Sequence, residues 1–85
     1  MEMKIHELKT VNPFYNLTEA GLKRFELRIN DRDFQGGDIL ILRHWDDELQ
    51  EYSGREFRAE VTCVLEDHAG LKPGYCLLSI MKTNG

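Results

Sequence analysis

Long apolar runs are missing from this chain. No uninterrupted stretch exceeds four residues, the length of Ile39-Leu40-Ile41-Leu42, whereas a membrane-spanning helix needs roughly 18 or more. Cysteine is scarce as well. Cys63 and Cys76 are the two among 85 residues, too few for a disulfide framework and without the C-x-x-C spacing that zinc sites use. His6, His44 and His68 are scattered, so no metal is expected, and the two thiols read as free and buried. Positive charge is in deficit: 11 Lys and Arg stand against 15 Asp and Glu, a net charge of −4. Such a chain lacks the global counterion-release advantage of proteins that coat nucleic acid. It can still carry a local basic cluster. No P-loop, dinucleotide fingerprint or Ser/His/Asp order is present, and no cofactor is expected. Met1-Glu2-Met3-Lys4 has no apolar signal region, and the expected location is cytoplasmic.

Charged residues make up 31% and apolar residues 41% of the chain, an ordinary globular balance, and the length fits one domain over residues 1–85. Residues 4–10 read as a first strand. Asn12-Pro13 starts a short helix, about Pro13 to Ala20, with Asn as cap and Pro in the first position. Phe14, Leu17 and Leu22 are its expected buried stripe, with Thr18 and Glu19 facing water. A second strand runs from about Lys23 to Ile29, and a third from Ile39 to about Trp45, its apolar run suggesting burial on both faces. Asp46-Asp47-Glu48 is an acidic loop, and Ser53-Gly54 marks a turn. Over residues 55–66, Phe57, Ala59, Val61, Cys63 and Leu65 alternate with Glu56, Arg58, Glu60 and Thr62, as in a half-exposed antiparallel strand. Tyr75 to Met81 is the last strand, with Cys76, Leu78 and Ile80 on one side and a frayed tail from Lys82. About five short strands and one helix make the chain mainly β (α+β). A small closed or nearly closed barrel protects the edges of so short a chain economically.

One segment carries more charge than a strand needs. In Gly21-Leu22-Lys23-Arg24-Phe25-Glu26-Leu27-Arg28, the glycine suits the left-handed end of the helix. The following alternation puts Glu26 and Arg28 on one face and Phe25, Leu27 and Ile29 on the other, the apolar face being the one expected inside. Lys23 sits at the handover from helix to strand, where pleating does not fix its direction. Between Gly21 and Phe34 there are four basic residues (Lys23, Arg24, Arg28, Arg32) and three acidic ones (Glu26, Asp31, Asp33), so the stretch is locally positive. By spacing alone these charges are equally well a solvated face with exposed ion pairs worth roughly 0–1 kcal/mol each.

Gly21-x-Lys23-x-x-Glu26-x-Arg28 resembles the G-x-K-x-x-E-x-R motif of ASCH domains in the PUA-like superfamily. The blocks His6-Glu7-Leu8-Lys9, Phe25 to Phe34, Gly37-Asp38-Ile39-Leu40, Tyr52-Ser53-Gly54-Arg55 and Gly70 to Tyr75 are similar to the small bacterial and phage branch DUF3850. The resemblance implies a PUA-like β-barrel with a cleft beside the helix, lined by the motif residues, that binds RNA or a nucleotide-like ligand. Lys23, Arg28 and Arg32 would then meet phosphate or base edges, with Lys9 in support. Glu26 would orient Lys23 or Arg28, or accept from a base amino group. The small amidohydrolases of acetylated cytidine in this superfamily carry a threonine where this chain has Glu26. Their nucleophile is therefore not carried over. A hydrolase of RNA or modified nucleosides, with Lys23 and Glu26 as working pair, is the alternative. A protein-interaction module of phage or mobile-element origin, its partner unknown, is the third reading.

His6 reads as a hydrogen-bonded structural histidine, though it could also serve a ligand as donor or acid/base group. Trp45, Tyr52 and Tyr75 are possible base-stacking aromatics, with core packing the commoner role. Phe34 reads as a core plug that fixes the turn before it.

Overall fold

The computed structural model describes residues 3–83. It contains β1 (Ile5–Thr10), α1 (Phe14–Glu19), β2 (Phe25–Ile29), β3 (Ile39–Asp46), β4 (Glu51–Glu66) and β5 (Tyr75–Lys82). One mixed sheet has the order β1-β3-β4-β5-β2. The β1–β3 pair is parallel and the other three are antiparallel. The architecture is thus mainly β with one short helix. The sheet curls into a half-barrel, because side chains from β2 and the segment after it reach carbonyls of β1, at the opposite end of the strand order.

The concave face holds the core. Leu8 of β1, Leu40 and Leu42 of β3, Ala59 and Val61 of β4 and Cys76, Leu78 and Ile80 of β5 are buried together with Phe34, at the period of two that strands require. Phe34 is the plug the sequence suggests: it is 1% exposed, and its N–H donates to Asn30 Oδ1 at 3.0 Å. On β3 only the concave residues are fully buried, and Ile39 and Ile41 on the other face are half-covered. Burial on both faces is therefore not complete.

The long alternation of β4 breaks at a β-bulge. Val61 pairs with Ile80 but Cys63 pairs with Ser79, which leaves Thr62 as an extra residue. Its hydroxyl is held by Ser79, donating to the carbonyl at 3.1 Å and meeting the side-chain Oγ at 3.0 Å. One inserted residue reverses the phase of every residue after it. Val64 therefore turns toward the core, and Cys63 and Leu65, expected inside, are exposed. The expected pair of buried thiols is corrected to one. Cys76 is buried, and burial first, with Glu66 and Asp31 adding, pushes its thiol pKa up. One cysteine per native chain, Cys63, should react with a thiol-specific reagent. Cys76 should join it only in denaturant; an unreactive Cys63 would contradict the bulge, and two rapid equivalents in the native protein would contradict the burial of Cys76.

The helix also turns differently from its expected stripe. Tyr15 and Thr18 are its buried residues, while Phe14, Leu17 and Leu22 are 50%, 39% and 77% exposed. Phe14 and Leu17 share a side at i, i+3, but Tyr15 and Thr18 do so equally. Tyr15 has the aromatic partners, with its ring 5.3 Å from Phe57 and 5.0 Å from His44. Pro13 occupies the cap position itself, one residue before the first helical one. Asn12 still serves the end by accepting from Asn16 N–H at 3.3 Å. Gly21, at φ +80°, closes the helix in the left-handed region as expected. Ser53-Gly54 is not a turn between strands. β4 runs through it, with a register shift opposite His44 and Gly54 at φ +93°. The hairpin turn is at residues 47–50, where Asp46 Oδ1 accepts from the N–H groups of Glu48 and Leu49. At the C-terminus Lys82 lies in β5, and Thr83 N–H donates to Arg58 at 2.9 Å. The expected fraying does not extend to these two residues; Asn84 and Gly85 lie outside the described residues.

Candidate functional site

β2 is inside out relative to its apolar pattern. Glu26 pairs with Leu78 and Arg28 with Cys76, so both charged side chains enter the concave face. Phe25, Leu27 and Ile29 are 48%, 55% and 56% exposed. The connection after Gly21 sets this phase: Arg24 O accepts from Ile80 N–H at 3.1 Å, and Arg24 Nε donates back to Gly21 O at 2.8 Å. An edge strand that faces a groove need not present an apolar inner face, provided its charges are paired.

They are paired. Glu26 is 5% exposed; its Oε1 accepts from Lys23 Nζ at 3.1 Å, and its Oε2 lies 3.4 Å from Arg28 Nε. Lys23, whose direction pleating left open, thus reaches the same cleft. Its ammonium also donates to Phe25 O and lies 4.8 Å from the Phe25 ring centre. Arg28 Nη2 donates to Lys9 O at 2.9 Å, and Arg32 Nη1 to Glu7 O at 2.7 Å. Within a strand the N–H and C=O of a residue point to the same side, so these two carbonyls lie on the β1 edge away from β3. The arginines bridge the two open edges of the half-barrel, as edge-blocking charges do. Each guanidinium has five N–H donors, and these contacts leave several unused.

Between the edges runs a groove of about 640 Å³. Lys9, Lys23, Arg28 and Arg32 contribute four basic residues to its lining against Glu26 and Asp31, a local excess of two positive charges on a chain of net −4. All five sequence-picked residues therefore lie on one groove. Lys9 is the least committed to it, because its ammonium rests 4.5 Å from the Trp45 ring centre.

Sequence pattern does not single out several other lining residues, Phe14, Phe25 and Thr10 among them. Phe14 and Phe25 were read as core, yet each is half-exposed in the groove. Thr10 is 5% exposed, lines the groove, and its Oγ1 has no hydrogen-bond partner among the described residues. The one signal for Thr10 is its place in the inward series His6, Leu8, Thr10, where an apolar residue is expected. Tyr75 also lines the groove, whereas Trp45 and Tyr52 lie outside it and pack on each other at 5.0 Å.

His6 is the structural histidine the sequence favours. It is buried against Phe34, ring centres 4.7 Å apart, and its Nε2 lies 2.9 Å from Asp38 Oδ2. An ionised carboxylate only accepts, so Nε2 carries the hydrogen. Asp38 also accepts from the N–H groups of Lys4 and Gln35. Burial opposes its charge, but the bond from His6 and the two backbone bonds outweigh it and hold the carboxyl below its ordinary pKa.

A second polar cluster joins His44 to Ser53 Oγ at 2.7 Å and to Asn12 Nδ2 at 3.1 Å. Asn12 Oδ1 is taken by Asn16 N–H, so Asn12 Nδ2 donates to His44 Nε2. The ring proton then sits on Nδ1 and is donated to Ser53 Oγ. Ser53 also accepts from Arg55 N–H. In this arrangement His44 does not withdraw a proton from Ser53, and the cluster ties α1 to the β3–β4 hairpin. Among the described residues no group of three or more His, Cys, Asp or Glu is placed to hold a metal ion, and no helix is long and apolar enough to cross a membrane.

The family described as a domain of unknown function, DUF3850, matches residues 5–80. The chain belongs to the DUF3850 family. It is 38% identical over 66 residues to an uncharacterized 12.9 kDa protein in the GpA 3′ region of Escherichia phage P2. That match takes in 78% of this chain and 59% of the phage protein, so this chain spans less than two thirds of that relative. The DUF3850 match includes both groove edges and all the groove-lining charges named above.

Proposed function

We propose that this DUF3850 domain binds RNA or a nucleotide-like ligand in the groove between β1 and β2. The observation that carries this reading is the buried hydroxyl of Thr10, without a hydrogen-bond partner among the described residues, in a groove with a local excess of positive charge. A buried polar atom without a partner costs roughly 1–3 kcal/mol, which a ligand's hydrogen bond recovers. Lys23, Arg28 and Arg32 supply unused donors for phosphate oxygens or base edges, and Glu26 offers remaining acceptor capacity. The resemblance of Gly21-x-Lys23-x-x-Glu26-x-Arg28 to the motif of PUA-like ASCH domains supports the same reading.

Binding of a short labelled single-stranded RNA, measured by fluorescence anisotropy at low and moderate salt, tests it. Affinity should fall as salt rises, and Lys23→Gln should weaken binding about tenfold. Wild-type protein that binds no RNA and no nucleotide at low salt would sink the proposal. The hydrolase reading has the contact between Lys23 and Glu26 in its favour. Incubation with RNA and a panel of acylated nucleosides separates the two: turnover lost in Glu26→Ala, with binding kept, identifies catalysis.

A further inference from the structure

The two ends of the groove differ, and the difference defines a ligand more narrowly than charge does. Arg28 meets the Lys9 carbonyl and Arg32 meets the Glu7 carbonyl. Rising numbers on the β2 side therefore match falling numbers on β1. By that register, Lys23, Phe25 and Glu26 face the far end of β1, where Thr10, Val11 and then Phe14 line the groove. One end is the more cationic, with Arg28 and Arg32 against Asp31, which lies 3.9 Å from Arg32 Nε. The other has two half-exposed phenyl rings in its lining, together with the buried Glu26 carboxylate under the Lys23 ammonium and the Thr10 hydroxyl.

We infer that this second end is a pocket for a single unpaired adenine or cytosine base, read by its exocyclic amino group and the accepting ring nitrogen beside it. The inference rests on the nucleotide-binding reading of the groove and deepens it. Phe14 and Phe25 supply faces on which any base stacks once it is free of a duplex. Neither ring belongs to the hydrophobic core; Phe25, which leaves β2 on the face opposite Glu26, reaches the groove at its rim, where the Lys23 ammonium lies 4.8 Å from its ring centre. The Glu26 carboxylate has about four lone-pair sites, of which Lys23 and Arg28 take two. What remains can only accept. The amino groups of adenine and cytosine donate to it, and the ring nitrogen beside each amino group can take the Thr10 hydroxyl proton. Uracil places a carbonyl oxygen where the amino group would be, against a carboxylate. The phosphate of the same nucleotide then lies toward Arg28 and Arg32, whose unused N–H donors it can share with the β1 carbonyls.

The experiment compares oligonucleotides of one length, composed of A, C or U, and a duplex of mixed sequence, by anisotropy with the intact chain. A and C strands should bind about tenfold more tightly than the U strand, and the duplex should not compete. Phe14→Ala and Phe25→Ala should each weaken A and C binding by roughly 5- to 100-fold. Phe25→Trp, which keeps a stacking face, should retain it. Because both rings are half-exposed, the urea midpoints of these variants report whether the fold is intact. Equal affinity for U, or phenylalanine variants that bind like wild type while Lys23→Gln loses binding, overturns the base pocket and leaves the cationic groove standing. Absence of binding to every strand removes both.

Discussion

Asp38→Ala should remove about 3 kcal/mol of stability, a large fraction of what a domain of this size possesses. The carboxylate is 2% exposed. It accepts from His6 Nε2 at 2.9 Å, Gln35 N–H at 3.0 Å and Lys4 N–H at 3.1 Å. Alanine leaves His6 Nε2 without a partner in a buried site, and the N–H groups of Lys4 and Gln35 without one where burial is partial. With a urea slope of roughly 1–1.5 kcal/mol per molar, the midpoint should fall by about 2–3 M. Asp38→Asn should cost less, because one carbonyl oxygen remains, but its amide hydrogens then face at least one of the former donors. A midpoint for Asp38→Ala close to wild type would show that water reaches these groups. The effect bears on the groove directly. Lys4 and His6 anchor β1 to the turn before β3, and β1 supplies one wall.

The same carboxyl gives the stability a pH dependence. Its folded pKa lies below the ordinary value, and the unfolded value is about 3.9. The contribution is therefore fully present above about pH 4 and disappears as pH falls through the lower folded value, where the native carboxylate takes up its proton. Urea midpoints of wild type and Asp38→Ala should lie far apart at neutral pH and draw closer as pH falls below about 4. A gap that stays constant on acidification would mean that Asp38 acts by shape alone.

The fold was legible where one physical signal dominated. Cys76, Leu78 and Ile80 alternate against a single buried face, Gly21 closes the helix at positive φ, and Phe34 has one place to go. The errors came where a second interaction competes with hydrophobic period. At Thr62 a hydroxyl held by Ser79 accompanies a bulge that reverses the phase of β4. In α1 the tie is broken by aromatic partners distant in sequence, Phe57 and His44. In β2 the apolar residues point outward because the inner face belongs to a groove, and pairing of Glu26 with Lys23 and Arg28 lets charge occupy it. A reading from apolar pattern assumes that the inner face is core. It fails at the strand that matters for function, and the motif positions located that strand when the pattern could not orient it. Thr10 carried almost no signal, because a buried threonine is common and its missing partner is a property of three-dimensional surroundings.

Glu26→Leu should destabilise the protein by about 2–3 kcal/mol, less than the roughly 3–5 kcal/mol for breaking a fully buried pair. The discount follows from its partners: the side chains of Lys23 and Arg28 are 14% and 28% exposed, so each charge left behind recovers some hydration. The informative comparison is the double variant Glu26→Leu with Lys23→Met. Replacing buried ions by apolar groups of similar volume is often neutral or stabilising. The double variant should therefore regain most of the lost stability, with Arg28 still tied to Lys9 O. It should not regain RNA binding, since the groove then lacks both the lysine donor and the carboxylate acceptor. Recovered urea midpoint with binding still absent would mean that this buried charge cluster is kept for what it recognises. A double variant as unstable as Glu26→Leu alone would instead make the cluster a net contributor to folding, and its charges would need no ligand to explain them.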